Sequence, residues 1–265
     1  MRSGRLRLGW DGHLLLPYAT AAERVLGLAA WTQDGLEQRE RLVCAELPAP
    51  TRVVPLLARC GVAAPEAVAS GALEAVHADQ VPGLAEPARL GEHLERALDA
   101  GYRGLRLCVE IPPAAPELCA DVAGSAEQVG GSGRVSLLCR HDRAARDGRL
   151  PALVAAHPHG LRTANLTTRP VGDGLALAGE VDISNVDLLG AALEHVTHSP
   201  RPTLWLDLTD LRFMDVAGCR ELASSTRGFR NNGGTVLLVD PLPPVAHVLR
   251  VLGVNQLRGM EILGR

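Results

Sequence analysis

Asp207, Asp215 and Asp240 each close a short apolar run, and three carboxylates at strand ends can hold a divalent cation or receive a phosphoryl group. A receiver pocket of that kind is completed by a lysine. This chain contains none: all 27 basic residues among its 265 are arginine. Schiff-base catalysis, a phosphate loop ending Gly-Lys-Ser/Thr and a kinase's phosphate-pairing lysine all need that amine, so these classes are excluded. No distinctive spacing sets the three carboxylates apart, and Asp207 reads equally well as a turn residue and Asp215 as a helix N-cap. In the first half His13, Glu110, Cys139, His141 and Asp142 offer imidazole, thiolate and carboxylate, donor types adequate for zinc. They are dispersed along the chain, and no metal or cofactor is expected. A hydrolase or transferase built on His13, Glu110 and Cys139 would be the enzymatic alternative, but neither a nucleophile elbow nor a zincin motif accompanies them. No enzyme is expected.

The elements that must position these residues alternate through the first 160 residues. Helical spacing over Ala21–Arg41, Thr51–Cys60, Ala64–Ser70 and Ala88–Ala100 is interleaved with short apolar runs at Leu42–Leu47, Leu73–His77, Leu105–Ile111 and Val135–Cys139. Pro112-Pro113 stops the third run, and Pro116–Gly131 starts as a helix and loops out through Gly130-Gly131-Ser132-Gly133. Leu14–Pro17 is a short apolar run, too short and too polar in its flanks for a signal core. Strand and helix in alternation specify a parallel sheet covered by helices. A short helix over Ala152–Ala156 precedes His157-Pro158-His159, read as a solvated helix end.

From Leu161 the pattern changes. Leu161–Arg169 and Leu175–Asp182 alternate about Pro170–Gly174, a hairpin signal. Asp182 and Ser184 are candidate caps for a helix over Asn185–Thr197; a strand follows at Thr203–Leu208, with Thr209-Asp210 as turn. An amphipathic helix over Val216–Phe229, a strand at Thr235–Val239 and a helix around Val245–Leu252 complete it. The sequence therefore divides into two domains, 1–160 and 161–265, both α/β and the second smaller. Net charge of -3 and scattered arginines give no reason to expect nucleic acid. Six cysteines without a C-x-x-C pair suit free thiols in a reducing cytoplasm, and no apolar stretch is long enough to span a bilayer.

Gly179-Glu180-Val181-Asp182, then Leu206-Asp207-Leu208, then Phe213-Met214-Asp215-x-Ala217-Gly218 before an amphipathic helix strongly resembles the STAS fold of bacterial anti-sigma factor antagonists. The resemblance covers about Leu161–Arg265. It implies that Asp182, Ser184, Asp215, Val216, Ala217 and Gly218 meet a partner, an anti-sigma factor of the serine-kinase type or another STAS protein. In that family the second residue after the aspartate receives the phosphate that repels the partner, by adding about -1.5 to -2 of charge. Here that position is Ala217, its neighbour is Val216, and neither has a hydroxyl. Two readings follow: an antagonist that is never phosphorylated at this place, which is preferred, or a STAS scaffold or ligand sensor without sigma-factor control.

Gly12–Tyr18, Gly101–Arg106 leading to Glu110, Leu137–Asp142 and Ala156-His157-Pro158 resemble the MEDS family of sensory domains, over roughly Gly9–Gly160. The resemblance implies a RecA-like sheet that has lost nucleotide chemistry. The family's usual cysteine two places after the histidine is Leu15 here, and its usual tyrosine after the Cys139 motif is His141. If this domain senses a small molecule, parallel sheets bind ligands outside their carboxyl edges, and His13, Glu110, Cys139, His141 and Asp142 are the candidates. The expectation is a cytoplasmic two-domain regulator that works by protein binding, without nucleic acid or membrane, with a homodimer allowed.

Overall fold

A computed structural model describes residues 12–46, 52–110, 117–129, 133–143 and 148–264. The stop read at Pro112-Pro113 and the loop residues Gly130-Gly131-Ser132 lie outside the described residues, as do residues 1–11. The chain packs as two compact units, Met1–Ala144 and Ala145–Arg265.

In the first unit five parallel strands lie in the order β3-β2-β4-β5-β1. They are β1 (His13–Tyr18), β2 (Arg41–Glu46), β3 (Leu73–His77), β4 (Leu105–Glu110) and β5 (Val135–Asp142). The helices between them are α1 (Ala21–Glu37), α2 (Val53–Arg59), α3 (Ala64–Ala69), α4 (Val81–Leu84), α5 (Pro87–Asp99) and α6 (Glu117–Val129). The run Leu14–Pro17 is a strand in its own right: Leu14, Leu15 and Leu16 are all buried, as in a parallel sheet covered on both faces. Alternation along the strands then sorts the residues by face. Leu14, Leu16, Leu42, Cys44, Cys108 and Leu138 share a core with Leu28 and Trp31 of α1 and Val53 and Leu57 of α2. On that same side Arg106 of β4 is fully buried, pairs with the buried Glu40 and lays its guanidinium 5.0 Å from the centre of the Trp31 ring.

The second unit holds β6 (Leu161–Arg162), β7 (Leu166–Val171), β8 (Gly174–Val181), β9 (Thr203–Met214), β10 (Thr235–Val239) and β11 (Met260–Leu263), adjacent in chain order. β6 to β8 are antiparallel neighbours and β8 to β11 parallel ones. Its helices are α7 (Leu150–Ala156), α8 (Val186–Thr197), α9 (Val216–Ser225), α10 (Arg227–Asn231) and α11 (Pro243–Val251), with α7 packed on α8. Three sequence readings change. Thr209-Asp210 is not a turn, because β9 runs on to Met214, and β8 keeps pace through register shifts at Ala176/Ala178 and Gly179/Glu180. The helix over Val216–Phe229 breaks at Thr226, whose buried hydroxyl donates to the Leu222 carbonyl at 2.6 Å and so competes with the helical ladder. His157 is buried rather than solvated, with Nδ1 2.5 Å from the Leu153 carbonyl oxygen.

Candidate functional site

The carboxyl edge of the first unit is organised by the start of α1. Thr20 caps that helix by accepting from the Glu23 N–H at 3.1 Å, and the Glu23 carboxylate reaches back to the Ala19 N–H at 2.8 Å. The two ends of this box fix where the first turn begins, and the next residue, Arg24, faces β4. There Glu110 accepts from the Tyr18 hydroxyl at 2.5 Å and stands 3.4 Å from both the Arg24 Nη1 and the Arg140 Nε. Arg140 is fully buried and donates to the Ala45 carbonyl at 2.5 Å. A carboxylate at the end of an apolar strand thus has the partners that its burial demands. Burial, and then the Glu110 carboxylate, push the Tyr18 phenol far above its ordinary range, so it stays a protonated donor. A phenol, a carboxylate and two guanidiniums gathered this way are groups that can orient a polar molecule by charge and hydrogen bonds.

The five residues proposed for ligand sensing do not form one site. Strand alternation puts Glu110 and Asp142 on the α1 side of the sheet and Cys139 and His141 on the other. Asp142 is exposed at the end of β5, whereas His141 is buried. His13 joins Cys139 instead: its Nε2 lies 3.4 Å from the Cys139 Sγ and 3.4 Å from the Cys119 Sγ. Cys119, on α6, is the residue that sequence reasoning missed, because nothing in the spacing shows that α6 lies over β5. Cys119 and Cys139 are joined as a disulfide, which corrects the expectation of free thiols for this pair; Cys44, Cys60, Cys108 and Cys219 form no disulfide.

In the second unit Asp215 caps α9, with Oδ1 accepting from the Gly218 N–H at 2.8 Å. Its Oδ2 accepts from the Ile183 N–H at 3.1 Å, so one carboxylate ties the β8–α8 loop to the start of α9. Asp182 and Ser184 are not helix caps: Asp182 Oδ1 accepts from the Ser184 N–H at 2.8 Å and its hydroxyl at 2.5 Å, closing a turn. Asn185 occupies the cap position of α8, but its side chain accepts from the Asp182 N–H and donates to the Glu180 carbonyl. Gly218 is required by close packing, since a Cβ there would sit 2.7 Å from Val181 Cγ1 and 2.9 Å from Met214 Cγ. Around this loop three apolar side chains face outward: Ile183 is 74% exposed, Phe213 47% and Val216 44%. The three strand carboxylates do not gather, because Asp207 lies inside β9, where its Oδ1 accepts from the Thr209 N–H.

Residues 12–158 match the family model described as MEDS, MEthanogen/methylotroph, DcmR Sensory domain. Residues 164–262 match STAS_2, described as Mlab, STAS domain. No curated protein matches the chain. Among solved structures, an anti-sigma factor antagonist from Mycobacterium paratuberculosis is 18% identical with a TM-score of 0.32, covering 37% of this chain and 84% of its own. A putative anti-sigma factor antagonist from Thermotoga maritima is 19% identical with a TM-score of 0.32, covering 38% and 86%. The antagonist SpoIIAA in its unphosphorylated form is 20% identical with a TM-score of 0.32, covering 38% and 89%. Among the described residues no helix is long and apolar enough to cross a membrane. With more than half of its length matched by one model, the chain belongs to the MEDS family, and a STAS domain follows its MEDS domain.

Proposed function

We propose that this protein is a regulator that acts by protein binding rather than by catalysis. Its STAS domain is an anti-sigma factor antagonist that serine phosphorylation does not switch off. The observation that carries this reading is the start of α9. An Asp215-capped helix start is flanked by outward-facing Ile183, Phe213 and Val216, while Val216 and Ala217 offer no hydroxyl to a kinase. An apolar patch rimmed by polar loops suits a protein partner. A helix N-terminus tolerates a phosphate electrostatically, so the missing hydroxyl alone removes the switch. The MEDS domain supplies the sensory input, with the Tyr18, Arg24, Glu110 and Arg140 knot at the sheet edge as the place where a small polar ligand would be read.

The test is capture of serine-kinase anti-sigma factors of the source organism by the full chain, compared with Ala217→Ser and Val216→Arg. Wild type is expected to bind with and without ATP. Ala217→Ser is expected to bind until ATP is added and then to be phosphorylated and released, and Val216→Arg to lose binding at least tenfold. If neither wild type nor Ala217→Ser binds any of them, the antagonist reading fails. The same missing hydroxyls favour a second reading, a STAS scaffold subunit of a larger assembly. A chain that stays monomeric at high concentration and captures no non-kinase STAS partner counts against it.

A further inference from the structure

His13, Cys119 and Cys139 come from the start of β1, from α6 and from the middle of β5, and each is buried. Their ligand atoms lie within 4.8 Å of one another, and the His13 Nε2 is 3.4 Å from each sulfur. With Zn–S near 2.3 Å and Zn–N near 2.0–2.1 Å, a tetrahedral ion sets its sulfur and nitrogen ligands about 3.6 Å apart. The imidazole already stands close to that spacing from both sulfurs. Two thiolates and an imidazole are three of the four donors that a tetrahedral zinc site takes, and soft sulfur selects zinc over magnesium or calcium. Two bare thiolates in this dry position would be costly; a divalent cation neutralises both. The Cα atoms of the two cysteines are 6.5 Å apart, which allows the sulfurs either to bond to each other or to open around an ion.

We infer that His13, Cys119 and Cys139 form a thiol-gated zinc site in the MEDS domain. The dithiol form takes the ion, and the disulfide form cannot. The gate is chemically balanced. A small dithiol reduces the disulfide, giving two cysteine thiols while the reductant becomes its own disulfide. Zinc then displaces one proton from each thiol, releasing two protons as two Zn–S bonds form. Binding therefore weakens as pH falls. A two-electron oxidant such as hydrogen peroxide reverses it: the two sulfurs bond, the ion leaves, and the peroxide becomes two waters after taking up two protons.

The test uses the full chain, reduced by a dithiol, freed of it under anaerobic conditions and titrated with cobalt(II). One equivalent is expected to bind with a thiolate-to-cobalt charge-transfer band and tetrahedral visible bands, both abolished by one equivalent of zinc. The peroxide-oxidised chain is expected to bind none. Cys119→Ser, Cys139→Ser and His13→Ala should each weaken cobalt binding at least tenfold, while Cys60→Ser leaves it unchanged. Circular dichroism establishes that each variant is folded. Should they not fold, the wild type alone decides: zinc-loaded chain must release one ion per disulfide formed on oxidation. A reduced, folded chain that takes up no cobalt overturns the proposal. So does a charge-transfer band that survives oxidation, or that survives loss of both Cys119 and Cys139.

Discussion

Cys219 shows how one carboxylate sets the chemistry around it. The side chain is buried at the start of α9, four residues after Asp215, and burial followed by the Asp215 charge pushes its thiol from 9.0 up to about 11. Folding therefore favours the protonated thiol. That contribution is fully present below pH 9.0 and is lost as pH rises through about 11. Thermal unfolding of wild type and Cys219→Ser across this window should show wild type losing stability relative to the variant; parallel curves would contradict the assignment. At pH 8 iodoacetamide should modify the exposed Cys60 long before the buried Cys44, Cys108 or Cys219, as peptide mapping would show. Asp215 was legible in the sequence as a cap. Its second bond, to the Ile183 N–H, was not, because it joins residues 32 apart.

At the scale of elements, α9 can approach β8 only because Gly218 has no side chain. Gly218→Ala would drive a methyl into Val181 and Met214, and urea unfolding should show a loss of about 1–3 kcal/mol. In the first unit β4 carries a charge into the core, and Arg106→Met alone should cost about 3–5 kcal/mol by leaving Glu40 buried without its partner. The double change Arg106→Met with Glu40→Leu should recover most of that, and a double variant as unstable as the single one would contradict it. Most strands and helices were readable from periodicity and turn residues, as at Leu73–His77 and Thr235–Val239. What failed was long-range. Leu14–Pro17 is too short to declare itself without its neighbour β5, and β9 passes through Thr209-Asp210 because β8 bulges to stay paired. The candidate sensing residues share the carboxyl edge in sequence, but His141 and Asp142 are consecutive residues on opposite faces of β5. That parity is visible in the sequence only once β5 is known to be covered on both sides.

At the scale of the whole molecule, the chain divides into two compact units: the first carries a buried sulfur–imidazole cluster and an ion-paired sheet edge, the second an outward apolar loop in its STAS domain. With no lysine in the chain, arginine makes the cationic contacts at the Glu110 knot and against the Trp31 ring. That last packing has an optical consequence. Trp31, fully buried under the Arg106 guanidinium, belongs to the first unit, and Trp205, 48% exposed on β9, to the second. In a Trp10→Phe variant these two would be the only indoles, one emitting from a dry interior and one from water. Acrylamide should quench the Trp205 emission several-fold more steeply than that of Trp31, and equal quenching would contradict the placement. Unfolding of the first and of the second unit could then be followed separately, by wavelength, in a single intact chain.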